Sequence, residues 1–489
     1  MKKFLTVLML CFAFFTIVGC GKNKNGDKNP NEIKIVEIVD FDSKSEITVN
    51  FWHAMGKGNQ EIIAQIISNF EKLYPNIKVV QTSLGDYTTL RDTISQGVAA
   101  DELPTVAQTY PDHVALYLNG DCVRELNSYL ACEKEITLSN DEVEKVGLSK
   151  DEQSLYIPGF WAEGTIYDSI GTMYSVPFNK STEVLYYNKT MFDKYNWKIP
   201  QTWDEVVEIS EAFVNTTEYA NLVKQDKKCA GFSYDSEANL FITLTQQWGG
   251  EYTKYDANGK GVFAFNNAKS KAAIRFYKEN FDKKYLATTT YFGTNYSSDA
   301  FKAGQIVMTL GSSAGASYNV PTDGSFEVGV TSYPQYSMEN PQVIQQGTNV
   351  TLFKRSDAQE ELAGWLFMKF LTNYESAYLW CTETSYFPIR TDVLNSVEYK
   401  RHISGETTDD QGQIIYKPTT QNLAQTVGLT QQDWFFTNVA FYGSSKARDN
   451  AETIVKAVLY ANTDIDKAYQ DAINDILYGW FIFVLREVF

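Results

Sequence analysis

A strand, an amphipathic helix and a second strand follow one another between Ile47 and Val80, and no other feature restricts the fold as much. Ile47 to Trp52 alternates apolar and polar residues, the period of a half-buried strand. Glu61 to Tyr74 then places Ile62, Ile66, Phe70 and Leu73 or Tyr74 on one helical face. Pro75 stops that helix, because proline disfavours helical backbone in the residue before it, and Ile77 to Val80 reads as the next strand. A strand–helix–strand order implies parallel pairing through a right-handed crossover, with helices covering the sheet. The order continues with a polar helix from Tyr87 to Ala100, a strand from Thr105 to Thr109 and a short helix from Asp112 to Leu118. The expected class is therefore α/β.

At 489 residues the chain is too long for one hydrophobic core, so two domains are expected. Glu133 to Ser175 is irregular and reads as loops with short elements. Then comes Pro177-Phe178-Asn179-Lys180-Ser181-Thr182-Glu183-Val184-Leu185-Tyr186-Tyr187-Asn188, in which Val184 to Tyr187 is a short apolar strand behind a polar lead-in. Thr202 and Glu205 make a capping box for a helix in which Trp203 is a packing residue. Leu240 to Trp248 is helical and ends at Gly249-Gly250, and Lys269 to Phe281 is amphipathic. Gln305 to Leu310 and Gly347 to Phe353 read as strands, Ser356 as the cap of a helix to Thr372 with Gln359 as its box partner. Ala447 to Tyr460 and Asp464 to Leu477 are the final helices.

The phrase Pro-Phe-Asn, four residues, Val-Leu-Tyr-Tyr-Asn, with Phe192 and Lys194 behind it, resembles the signature of family 1 extracellular solute-binding proteins. Pro200-x-Thr-Trp203, Phe301-x-x-Gly304 and Tyr386-Phe387-Pro388-Ile389-Arg390 fit the same family. Phe51-Trp52-His53-x-Met55, Gly85-Asp86-Tyr87 and Pro104-Thr105-Val106-x-Gln108-x-Tyr110 resemble its glycerol-3-phosphate-binding branch. The resemblance implies a two-lobed periplasmic-binding-protein type II fold with crossing hinge strands and a ligand cleft between the lobes. It also implies work as a monomer with the permease subunits of an ABC importer, and no cofactor. Crossings near Ser181, Met308 and Phe353 would assign residues 46–182 and 309–353 to lobe 1 and residues 183–308 and 354–478 to lobe 2.

The ends carry their own signals. Lys2 and Lys3, the apolar run Phe4 to Val18 and Ile17-Val18-Gly19-Cys20 look like a lipoprotein leader, with Cys20 as the lipidated first residue of the mature chain. Residues 1–19 are then signal peptide and 20–45 a tether, which places the protein on the extracytoplasmic face of the cell membrane. Residues 479–489 form an apolar tail, too short to span a bilayer, for which the sequence suggests no role. Cys122, Cys132, Cys229 and Cys381 show no metal-ligand spacing; Cys122 and Cys132 either pair or lie as buried thiols. The three histidines are scattered, so no metal site is expected, and a net charge of -17 argues against nucleic acid and anionic membranes as partners.

Ligand contacts follow from the resemblance residue by residue: Tyr87, Ser181, Ser312 or Ser313, Gly347, Tyr399 and Arg448. An Arg fork among hydroxyls and backbone amides suits a phosphate, and Gly311 to Ser317, small and hydroxyl-rich after a strand, can present N–H groups to an anion. Trp52, Asp112, Tyr234 and Trp248 complete the candidates. Two departures bear on the ligand. Pro111 stands where the family has a glutamate for glycerol hydroxyls, with Asp112 beside it, and the segment after Cys229 lacks the family's cleft tryptophan. Glycerol-3-phosphate or a glycerophosphodiester is the first expectation and a sugar or oligosaccharide the second. A secreted glycoside hydrolase is the remote third, since no HExxH or cysteine–histidine arrangement occurs while carboxylates are scattered.

Overall fold

The computed structural model describes residues 33–100 and 102–488; the leader and Cys20 lie outside them. Strand Ile47–His53 pairs in parallel with Ile77–Ser83, Ile47 opposite Ile77 and His53 opposite Ser83. Helix Lys57–Leu73 connects them and buries Ile63, Ile66, Ile67 and Phe70, a face turned slightly from the expected one. These strands open a mixed sheet whose order runs Leu286–Thr288, Phe232–Tyr234, Met308–Ser312, Ser175–Asn188, Val343–Leu352, Val106–Thr109, Ile47–His53, Ile77–Ser83.

The long strand Ser175–Asn188 is buried from end to end. Its first part pairs antiparallel with Val343–Leu352, Val176 opposite Val350 and Thr182 opposite Gln345. Its last part pairs with Met308–Ser312, Glu183 opposite Ser312, and with Val328–Thr331, Asn188 opposite Val328. The strand is much longer than the Val184–Tyr187 reading because its polar residues have partners inside the protein. Lys180 pairs with Glu163, Thr182 Oγ1 donates to the Ile344 carbonyl at 2.9 Å, and Asn179 accepts from Thr348 Oγ1. Buried polar groups satisfied in this way do not end a strand.

Two large cores flank the crossing. The first gathers Val49, Phe51 and Phe70 with Leu362, Trp365, Phe367, Trp380 and Tyr399. The second gathers Leu185, Trp203, Phe232, Tyr277, Tyr333 and Val343 with Ala447, Ile454 and Val458. This partition differs from the expected one, which gave 309–353 to the first lobe and 354–478 to the second. Strand Val343–Leu352 itself crosses, with Val343 and Ile344 in the second core and Val350 and Leu352 in the first. Helix Ala358–Leu371 follows immediately, so its apolar face lands on the first core; Trp434, Phe435 and Phe436 then pack against the second core, and from Ala447 the chain is buried in it.

The later part of the expected 20–45 tether is packed on the fold. Ile38 is buried in the first core with Val36, Val39 and Phe41 packed beside it. Val36 N–H donates to Ser128 Oγ at 2.9 Å and Asp42 N–H to Gln359 Oε1 at 3.0 Å. Gln359 is thereby used on this strap and not in a capping box; the helix is capped by Asp357, one residue after the expected Ser356. The Thr202–Glu205 capping box is present, and Trp203 is buried with Nε1 donating to Gln247 Oε1 at 2.9 Å. Helix Ile465–Val488 runs on through the apolar tail. Cys122, Cys132, Cys229 and Cys381 are free thiols. Among the described residues no helix is long and apolar enough to cross a membrane, and no cluster of three or more His, Cys, Asp or Glu could hold a metal.

Candidate functional site

Where the strands cross, a cavity of about 570 Å³ opens between the cores. Tyr87, Tyr110, Asp112 and Glu163 reach it from the first side, Ser181 and Gly347 from the crossing strands, and Asp235, Asn239, Ser312 and Arg448 from the second. Tyr87 opens helix Tyr87–Ala100 just after Asp86, whose Oδ1 accepts from Thr89 N–H at 2.8 Å. Its hydroxyl accepts from Asn179 Nδ2 at 3.3 Å, and its ring meets Tyr110 edge-on at 4.9 Å. Ser181 and Ser312 face each other, Ser312 Oγ donating to Ser181 Oγ at 3.2 Å while accepting from Ala314 N–H at 3.2 Å.

Gly347 has φ of 93°, and a Cβ there would stand 1.9 Å from the Asn179 carbonyl oxygen. Glycine is required where the two crossing strands meet, whatever the ligand. Behind it lies a buried ion pair: Lys180 binds Glu163, which also accepts from Gln345 Nε2. Burial lowers the Lys180 pKa although Glu163 pulls it up.

Arg448 enters from the first turns of helix Ser444–Leu459. It donates through Nη2 to Asn239 Oδ1, and Asn239 Nδ2 donates to Glu183 Oε1 at 2.9 Å. Glu183 also accepts from Tyr234 and from Gln346 Nε2 at 3.2 Å. Burial pushes the Glu183 carboxyl up to about 7 against the pull of those hydrogen bonds. Asp112 Oδ2 and the Tyr252 hydroxyl are buried in the wall without a hydrogen-bond partner. Such atoms are rare in folded proteins, and here both belong to residues that line a cavity. Asp235 has its Oδ1 held by Ser297 N–H at 2.7 Å, and burial pushes its carboxyl up to about 7.

Two contacts cross the cleft away from the strands. Arg91 Nη1 donates to both carboxylate oxygens of Asp449 at 3.0 and 3.2 Å, and Ser445 Oγ donates to the Asp112 carbonyl at 3.0 Å. The turn that carries Arg448 is thus pinned to the opposite lobe.

Of the residues expected from sequence, Tyr87, Ser181, Ser312, Gly347, Asp112 and Arg448 line this cavity. Ser313 does not: it is fully buried, its Oγ accepting from Thr182 N–H at 3.3 Å. Tyr399 lies in the first core, as the sole buried residue of its short helix. Tyr234 is in the second core, since strand alternation turns it inward and leaves Asp235 at the cavity. Trp52 packs on a smaller cluster around Leu90 and Ile94, and Trp248 stacks on Tyr336 at 4.2 Å; neither lines the cavity. Residues absent from the expected set include Asp235, Asn239, Glu163, Lys302, Tyr110, Tyr252, Tyr296 and Tyr386. Tyr110 and Tyr386 sat inside phrases already singled out, whereas Glu163 lies in the irregular segment and gave no signal.

A family model described as bacterial extracellular solute-binding protein matches residues 65–405. The sn-glycerol-3-phosphate-binding periplasmic protein UgpB of Shigella dysenteriae is 26% identical over 359 residues, covering 70% of this chain and 74% of that one. UgpB from Mycobacterium tuberculosis, solved in complex with glycerophosphocholine, superposes with a TM-score of 0.69 at 15% identity, covering 90% of this chain and 99% of its own. The GacH receptor of Streptomyces glaucescens, solved unliganded and with acarbose, gives 0.67 at 18% identity, with 88% and 98% covered. The two structures share the two-lobed fold.

Proposed function

The chain belongs to the bacterial extracellular solute-binding proteins, and from that premise we propose that it captures a phosphorylated glycerol compound, glycerol-3-phosphate or a glycerophosphodiester, and delivers it to the permease of an ABC importer. The observation that carries the ligand is Arg448, brought into the cavity beside Ser444 at a helix start, in the same wall system as the Ser181–Ser312 hydroxyl pair. A guanidinium with hydroxyls and the N–H groups of a helix start is a donor set matched to phosphate oxygens. The curated relatives named for glycerol-3-phosphate binding support the same reading. Capture works by closure: a ligand that touches both lobes shifts an open–closed equilibrium toward the form a permease reads. The Ile17-Val18-Gly19-Cys20 leader supports a lipid anchor that keeps the protein beside that permease.

A carbohydrate is the second reading. Tyr87, Tyr110, Tyr252, Tyr296 and Tyr386 offer stacking faces and hydroxyls, Asp112 a carboxylate for sugar hydroxyls, and a structural neighbour binds acarbose. Thermal-shift and calorimetric titration of the purified protein with glycerol-3-phosphate, glycerophosphoglycerol, maltotriose and longer maltodextrins decides between them. Stabilisation by the phosphates, with no turnover of any compound, is the expected result. Stabilisation by the sugars alone would replace the phosphate reading with the carbohydrate one.

A further inference from the structure

A carboxylate stands in the wall of a cavity assigned to an anion. Asp235 follows the last residue of strand Phe232–Tyr234, which runs parallel to Met308–Ser312, so both strands end at the same edge of the cavity. A Cβ built on Gly311 would lie 3.3 Å from Asp235 Oδ2, which puts the carboxyl against the segment that delivers Ser312. Its other oxygen is held by the Ser297 N–H. No Lys or Arg forms an ion pair with it among the described residues. The groups that face it are Glu183 on the long strand, Glu237 on the helix that follows, Asp299 on helix Ser297–Lys302, and the hydroxyls of Tyr186 and Tyr296. All are acids, and the nearby Lys302 is taken by Asp299 at 3.5 Å. Arg448 is turned to Asn239 and Glu183.

We propose that Asp235 meets the ligand's phosphate as a carboxylic acid: a proton is taken up from solvent onto Asp235 as the ligand enters, and the Asp235 O–H donates a hydrogen bond to a phosphate oxygen. This rests on the phosphate reading above. Two anions within hydrogen-bond reach in a site of restricted hydration do not both stay ionised. A phosphodiester is far too weak a base to hold the proton itself, so the proton resides on Asp235. The free carboxyl is already raised to about 7 by burial, so little work is needed to protonate it near neutral pH. Asp235 thereby becomes a specificity-determining residue. A neutral sugar would donate its hydroxyls to the ionised carboxylate and take up no proton, whereas an anion binds only together with one.

Calorimetry of the intact protein with glycerophosphoglycerol tests this, because that diester does not titrate between pH 6 and 8. In buffers of different ionisation enthalpy, wild type takes up close to one proton per ligand at pH 8 and little at pH 6, and binds about tenfold more weakly at pH 8. Asp235→Asn takes up none and binds with the same affinity at both pH values, while Glu183→Gln retains the uptake. Binding of the diester by wild type without proton uptake overturns the proposal and leaves the phosphate reading standing; that measurement needs no variant to fold. Uptake that persists in Asp235→Asn and vanishes in Glu183→Gln overturns it as well, by moving the proton to Glu183. Binding of maltotriose with no binding of the diester overturns the proposal together with the reading it rests on.

Discussion

Replacing Arg448 by alanine separates the two ligand readings in one protein. The guanidinium is half-buried, one N–H is engaged with Asn239 and the side chain lines the cavity. A hydrogen bond to a charged partner contributes roughly 1.5–3 kcal/mol. At about 1.4 kcal/mol per decade, Arg448→Ala weakens glycerol-3-phosphate by about 10- to 150-fold, and partial exposure favours the lower half of that range. Arg448→Lys keeps the charge and loses the planar fork, so it falls between wild type and the alanine variant. Maltotriose affinity changes by less than about threefold, since a neutral sugar gains little from the positive charge. The fold tolerates the change, because Asn239 keeps its bond to Glu183 through Nδ2. Isothermal titration at fixed ionic strength with both ligands on all three proteins is the assay. Glycerol-3-phosphate binding to Arg448→Ala within threefold of wild type refutes the clamp.

Three further outcomes are expected. Gly347→Ala forces a Cβ to 1.9 Å from the Asn179 carbonyl at a φ of 93°; strain and overlap together destabilise the protein by on the order of 3 kcal/mol or more, read as a fall in denaturant midpoint. Glu163→Gln leaves Lys180 buried without its anion and costs about 3–5 kcal/mol, whereas Glu163→Gln with Lys180→Met recovers much of it; equal stability of single and double variants would contradict the pairing. Arg91→Ala removes a cross-cleft bridge to the partly exposed Asp449, worth about 0.2–1 kcal/mol, so ligand dissociation measured by stopped flow quickens by up to about fivefold at low salt. The difference shrinks at 1 M salt, where exposed charges are screened.

What the sequence showed plainly was whatever local chemistry decides. The first strand–helix–strand unit, the Thr202–Glu205 cap and the helix before Gly249 obey periodicity and capping rules that need no knowledge of the rest. Tyr87, Ser181 and Arg448 were reachable through phrases that resemble a family, and all three line one cavity. The misses share a cause. Asn179 to Glu183 read as a polar lead-in because Glu163, Thr348 and Gln346, which satisfy them, lie elsewhere in the chain. Sequence points to Tyr234 and passes over Asp235, because only strand pairing settles which of two neighbours faces the cavity. The expected boundary between 309–353 and 354–478 falls just after Val343–Leu352, a strand that contributes to both cores and so offers no boundary that composition marks.

The interleaving of the two cores has a consequence for how the chain is made. Phe51 packs against Phe367 with ring centroids 5.4 Å apart, yet the segment between them builds most of the second core. With synthesis at roughly 5–20 residues per second, about 15–60 s separate the emergence of these two partners. Through that interval Val49, Phe51 and Phe70 stand without the helix Ala358–Leu371 that covers them. The first core is incomplete until that helix is made. Contacts this distant in sequence make folding slow and leave apolar strands open to wrong partners until helix Ala358–Leu371 is made.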